Sequence, residues 1–246
     1  MALGEEKMKA TKKSIVLLSG WLHNFENETE FVDELSKNFN VTIIKYPGYY
    51  GEKDLERLPK KFDLADYIYS KIKSLKLKDY TFVSFSMGCQ VALHVIKKYD
   101  LTNKVILISP TTSDLTLKVP FLLKPFLKNE LIFGFIRENE YLSKLIVNMA
   151  YKKISVVTEN GKVERSNFNN KNITTKGAFD TLYFLITNFI DPIKYSKQTS
   201  LIFGDKEILQ KSLKPNEYWI IKDCGHGGFE KRYKEFSKTI ISLVTV

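Results

Sequence analysis

The sequence predicts an α/β fold: a mostly parallel sheet of about six strands flanked by helices, with one long insertion. Three observations predict it. Short apolar runs rich in Val, Ile and aromatics alternate with segments of helical period, the pattern of strands buried on both faces and joined by crossover helices. A small-x-Ser-x-small pentapeptide, Ser84-Phe85-Ser86-Met87-Gly88, stands between such a run and such a segment. The stretch between residues 110 and 198 is too long to be a single crossover.

Taken in order, strands are expected near 14–19, 41–46, 80–85, 103–109, 199–204 and 216–221, and helices near 28–38, 64–75, 88–99 and 230–244. Ile15-Val16-Leu17-Leu18 stops at Ser19-Gly20, so it reads as a strand. After Ser86, the residues Val91, Ala92, Val95 and Ile96 share one helical face. The first part of the insertion is apolar, from Val119 through Phe133 to Ile136. Glu159-Asn160-Gly161-Lys162 reads as a turn between two short strands, Ser155-Val156-Val157 and Lys162-Val163-Glu164. Phe179, Leu182, Leu185, Ile186 and Ile190 then form another helical face.

Composition bounds the function. A chain of 246 residues that is 43% hydrophobic holds one α/β domain plus an insertion, or at most two small domains. It has no apolar run of about 18 residues, so no stable membrane insertion is expected. Residues 1–13 are polar and charged and lack the apolar stretch of a signal peptide. Cys89 and Cys224 make no disulfide framework and read as small buried fillers, which points to the cytoplasm. The net charge of +10 comes from scattered lysines. There is no basic stripe with interleaved aromatics, no helix-turn-helix and no zinc spacing, so neither nucleic acid nor a metal is expected. A basic rim remains suited to an acidic carrier protein or an anionic acyl substrate.

The chemistry lies at the ends of the strands. A serine on a tight strand-to-helix turn has its hydroxyl pushed out of the sheet, and crowding there demands small residues two before and two after it. The helix N-terminus that follows favours developing negative charge. A serine hydroxyl needs a base, and the chain has only His23, His94 and His226. His94 lies within the helix after Ser86, where packing is its expected role, and His23 lies in the loop after the first strand, where it is placed to line a pocket. His226 sits in Gly225-His226-Gly227-Gly228, a loop free to turn an imidazole back toward the serine. An acid must orient that imidazole. The run Ser200-Leu201-Ile202-Phe203-Gly204 ends beside two, Asp205 and Glu207.

The order serine, acid, histidine, each just past an apolar strand, resembles the α/β-hydrolase superfamily, and the resemblance covers nearly the whole chain. Ile15 to Trp21 resembles that family's first oxyanion strand and turn, with Ser19 in place of the common histidine. Ile43 to Gly51 resembles its Asp-x-Pro-Gly-x-Gly loop. The resemblance implies the following expectations. Ser86 is the nucleophile and His226 the base. Glu207, three residues after Gly204, is the acid, where most members carry Asp. Asp205 is the alternative acid, and Asp114 a remote third. The backbone N–H groups of Trp21 and Met87 form the oxyanion hole. Residues 1–110 and 196–246 form the core, and 111–195 form a cap. The family's two N-terminal strands are expected to be missing or vestigial here.

The expected activity is that of a serine hydrolase of the carboxylesterase or thioesterase type. It cleaves a small-molecule acyl ester or thioester through an acyl-enzyme and needs no cofactor. Gly20-Trp21-Leu22-His23-Asn24 resembles the oxyanion loop of pimeloyl-carrier methyl ester esterases, which keeps a carrier-linked substrate among the candidates. The same triad also serves C–C bond hydrolases and acyltransferases, and some members of the fold bind ligands with little turnover. The apolar insertion suits an acyl chain or plain packing.

Overall fold

The computed structural model describes residues 12–55, 63–111, 129–158, 170–195, 197–207, 218–226 and 228–245. Among them six strands form one sheet: β1 (Ser14–Leu18), β2 (Asn40–Ile44), β3 (Tyr80–Phe85), β4 (Val105–Ile108), β5 (Thr199–Gly204) and β6 (Tyr218–Ile221). Every pairing is parallel, in the order β2-β1-β3-β4-β5-β6. The sequence order reverses between β1 and β3. In open parallel sheets ligands bind beside such a reversal, at the carboxyl ends of the strands.

Continuous apolar runs become central strands because both faces of this sheet are covered. Alternate residues enter two separate cores. Val16, Leu18, Phe82, Leu107 and Phe203 pack on one side, and Ile15, Leu17, Val83, Ile106 and Ile202 on the other. The first side is covered by α2 (Leu64–Ser74), α3 (Met87–Tyr99) and α6 (Thr175–Thr187), the second by α1 (Thr29–Ser36) and α7 (Phe229–Thr245). Helix starts follow side-chain caps. Asp63 accepts from the N–H of Ala65 before α2, and Thr174 accepts from that of Gly177 before α6.

Between β4 and β5 lie three α-helices among the described residues: α4 (Glu130–Glu138), α5 (Glu140–Thr158) and α6. Ser155-Val156-Val157, expected as a strand, belongs to the last turn of α5. The β-branched residues there lower helix propensity by only a few tenths of a kcal/mol each. Extending an existing helix costs far less than nucleating a hairpin. Its expected partner, Lys162-Val163-Glu164, lies outside the described residues. The apolar face of α6 is accounted for by packing, since Phe179, Leu182, Leu185 and Ile186 all enter the core beside α3. On α4 the apolar residues divide: Phe133 is buried, while Leu131 and Phe135 are exposed. No helix among the described residues is long and apolar enough to cross a membrane.

A buried ion pair joins α4 to α6. Arg137 Nε donates to Asp180 Oδ1 at 2.8 Å and Nη2 to Oδ2 at 2.9 Å, with both side chains almost fully enclosed. Nη2 also donates to the carbonyl of Leu55 at 2.8 Å. Removing one member of such a pair strands the other charge away from water. Arg137→Met is therefore expected to destabilise the fold by about 3–5 kcal/mol, read as a lower urea midpoint at unchanged slope. A variant within about 1 kcal/mol of the parent would mean that water replaces the guanidinium.

Candidate active site

β3 delivers Ser86 at the centre of the sheet edge, and α3 starts at the next residue. Ser86 itself has φ 51° and ψ −114°. L-residues rarely occupy that region, and holding one there costs about 1–3 kcal/mol. The surroundings enforce it. The Ser86 N–H donates to the carbonyl of Ile108 at 2.9 Å, anchoring the turn to the end of β4. A Cβ on Gly88 would lie 2.2 Å from the carbonyl oxygen of Leu18, so only glycine lets α3 start this close to β1. Ser84, two residues before Ser86, is fully enclosed. The turn thus aims the hydroxyl away from the sheet.

His226 reaches this hydroxyl from the other end of the chain. Its Nε2 is 3.0 Å from Ser86 Oγ, across 140 residues of sequence. Its Nδ1 is 2.9 Å from Glu207 Oε2. A carboxylate only accepts, so Nδ1 carries the proton and donates to Glu207. In the neutral ring, Nε2 is then left with a lone pair facing the Ser86 hydroxyl. The His226 ring also lies against Phe85, with centroids 5.0 Å apart. The Glu207 side chain is only 1% exposed, and that of His226 10%.

The approach of Glu207 to His226 follows from how tightly the ends of β5 and β6 meet. A Cβ on Gly204 would sit 2.0 Å from the carbonyl oxygen of Cys224. The Asp205 N–H donates to Ile221 and that of Lys206 to Cys224, both at 2.9 Å. Asp205, the alternative acid, points elsewhere. Its side chain is exposed, and Oδ1 accepts from the N–H of Cys224 at 3.0 Å. Backbone hydrogen bonds from Cys224 and Asp223 hold its carboxyl below the usual range. Asp114 lies outside the described residues.

The loop after β1 borders the serine. A Cβ on Gly20 would stand 3.2 Å from Ser86 Cβ. The turn closes with the His23 N–H donating to the carbonyl of Gly20 at 3.3 Å. Trp21 occupies this turn, and Met87, fully buried, opens α3. Among the described residues, neither their backbone N–H group donates to a protein acceptor. An oxyanion hole takes backbone N–H donors of this kind.

Comparison with known proteins agrees with the architecture. No protein-family model matches the sequence, and no curated protein sequence matches it. Solved structures do. The chain is similar to a bromoperoxidase from Bacillus anthracis, with 17% identity over 96% of this chain and 93% of that one, at a TM-score of 0.64. It is similar to MenH from S. aureus, with 17% identity over 96% and 94%, also at 0.64. A thermophilic esterase from Thermogutta terrifontis gives 13% identity over 96% and 90%, at 0.62. The fold is that of the α/β-hydrolases.

Within this α/β-hydrolase fold the other histidines have local partners. His23 Nε2 is 3.1 Å from Glu28 Oε1, and its ring meets the edge of Phe85, one ring removed from His226. His94 packs edge-on against Phe184, and burial lowers its pKa. Both cysteines are free and buried. Burial raises the thiol of Cys89 well above its ordinary value and that of Cys224 to about 11. Among the described residues no group of three or more His, Cys, Asp or Glu side chains is placed to hold a metal ion.

Sequence reasoning missed the residues that hold the loop after β1. Tyr46 Oη donates to the carbonyl of Ser19 at 2.6 Å, and Ser19 Oγ accepts from the N–H of Phe25 at 3.0 Å. Tyr49 Oη accepts from the N–H of Leu22 at 3.3 Å. The tyrosines flanking Pro47-Gly48 were the available signal. Their hydroxyl partners lie 27 residues away in sequence, beyond any local pattern.

Proposed function

We propose that the protein is a serine hydrolase that cleaves carboxylic esters or thioesters. One observation carries this reading: the continuous contact from Glu207 through His226 to Ser86, 2.9 Å and 3.0 Å long. An isolated hydroxyl is a poor nucleophile at neutral pH. Here the Ser86 proton passes to His226 Nε2 as Oγ attacks the acyl carbonyl. Glu207 stabilises the imidazolium that forms. The N–H groups of Trp21 and Met87 hold the oxyanion, an interaction that strengthens as charge develops. The tetrahedral intermediate collapses, and His226 returns the proton to the departing alcohol or thiol. Water then attacks the acyl-enzyme, with His226 taking its proton, and releases the acid and free Ser86. The sequence uses no metal or organic cofactor.

The similarity to a structure described as an esterase supports the same class. Hydrolysis of a series of nitrophenyl esters of increasing acyl length tests the reading. Turnover, together with labelling of Ser86 by a fluorophosphonate, is the expected result, and the preferred length reports the acyl pocket. Absence of both in folded protein rejects the hydrolase. Labelling without ester turnover moves the substrate to a thioester, a C–C bond or an acyl-transfer partner.

A further inference from the structure

We infer that the Tyr49 hydroxyl is a positioning group that ties the oxyanion turn to helix α6, so that the seating of α6 sets the rate of the chemical step. The inference rests on the hydrolase reading and deepens it.

The turn Gly20–His23 carries one of the two oxyanion donors, and a single hydrogen bond of 3.3 Å, from the His23 N–H to the Gly20 carbonyl, closes it from within. Leu22 has φ 59°, a left-handed conformation that branched side chains avoid. Two of the contacts that brace it lead to α6. The indole Nε1 of Trp21 donates to the carbonyl of Ala178 at 3.0 Å. The Leu22 N–H donates to Tyr49 Oη. Tyr49 Oη in turn lies 2.8 Å from Thr181 Oγ1. Thr181 Oγ1 donates to the carbonyl of Gly177 at 2.8 Å. The donors therefore line up one way: Leu22 N–H to Tyr49 O–H, to Thr181 O–H, to the Gly177 carbonyl. Aligned hydrogen bonds of this kind polarise one another.

The relay is closed to water. Tyr49 and Thr181 are each 1% exposed. Burial pushes the Tyr49 phenol well above its ordinary value, so it stays a donor at every working pH. The far end is equally fixed. The Thr174 N–H donates to the carbonyl of Gly48 at 2.8 Å. A Cβ on Gly177 would lie 2.5 Å from the carbonyl oxygen of Pro47. The start of α6 thus rests on the backbone of the loop that carries Tyr49. The 46–50 loop is a strut between α6 and the oxyanion turn, and a shift of α6 moves Trp21.

Tyr49→Phe keeps the ring and removes the relay. Losing an oxyanion donor outright costs about 10²–10³-fold in kcat. Misaligning one is expected to cost about tenfold. Nitrophenyl ester kinetics, with sites counted by fluorophosphonate titration, separate this from loss of folded protein. The expected result is full titration, kcat per site about tenfold lower and KM within about twofold. The Ki of a trifluoromethyl ketone, whose adduct carries an oxyanion, rises by the same factor. Thr181→Val removes the next link and is expected to lower kcat in the same way, which covers the case of a Tyr49→Phe chain that does not fold. Unchanged kcat per titrated site and unchanged Ki in the folded variants overturn the inference alone. A parent protein that neither titrates nor turns over esters overturns the hydrolase reading, and this inference with it.

Discussion

Ser86→Ala is expected to lower nitrophenyl ester turnover by about 10⁴-fold or more while leaving the fold and KM nearly unchanged. Alanine keeps the Cβ that stands next to Gly20, and both residues suffer equally at φ 51°, so the elbow persists. What disappears is the atom 3.0 Å from His226 Nε2, and with it the acyl-enzyme route. His226→Ala is expected to cost a similar factor, because a serine without its base remains protonated. The double variant is then expected to be no slower than either single one. Residues that act as a unit lose their joint effect once. Burst kinetics and fluorophosphonate labelling measure this directly. Retention of more than about 1% of the parent rate in Ser86→Ala would place the nucleophile elsewhere. Factors that multiply in the double variant would mean that Ser86 and His226 act separately.

The fold was legible because two independent periodicities agreed. Apolar runs such as Val105-Ile106-Leu107-Ile108 have no polar side, so they demand cover on both faces, and the segments between them are helical. All six expected strands form, because nothing local competes with burial at those positions. Residues 155–157 depart from the expected strand. A β-branched run at the end of a long helix carries the same local signal as a strand, and only the preceding turns decide between them. At the site, Ser86 and His226 stood out because their neighbours are unusual: small residues around the one, glycines around the other. The acid was ambiguous because Asp205 and Glu207 are both near a strand end, and sequence does not show which way a turn points its side chains. Tyr46, Tyr49 and the pair Arg137–Asp180 were invisible for a different reason. Their roles exist only through partners brought close by the fold, and the residues themselves have ordinary surroundings in the chain.

Glu207→Gln is expected to lower kcat by about 10³–10⁴-fold, whereas Asp205→Asn is expected to lower it by less than about tenfold. The two acids sit two residues apart but meet different partners. Glu207 accepts from His226 Nδ1. A glutamine there provides no charge to stabilise the imidazolium, and its amide N–H₂ can favour the ring tautomer that turns a proton toward Ser86. Asp205 instead meets the backbone of the loop that carries His226, at Cys224 and Asp223. Asparagine keeps that acceptor and loses only the charge, so the loop stays in place. The consequence for Asp205→Asn is therefore in stability and its pH dependence. The folded-state pKa of Asp205 is depressed. Its carboxylate thus stabilises the fold above the unfolded value of about 3.9, and that contribution fades as pH falls through the lower, folded value. The melting temperature of Asp205→Asn should lie below that of the parent at neutral pH and converge with it in acid below about pH 4. If kinetics reversed the order, with Asp205→Asn inactive and Glu207→Gln active, the loop after β5 would have to rearrange during catalysis. His226 would then take its orientation from a carboxylate that is exposed in the resting protein. Equal, severe losses in both variants would instead mean that Asp205 is needed to hold the Cys224–His226 segment. A wider active-site distance between His226 and Ser86 in Asp205→Asn alone would distinguish that case from direct catalysis.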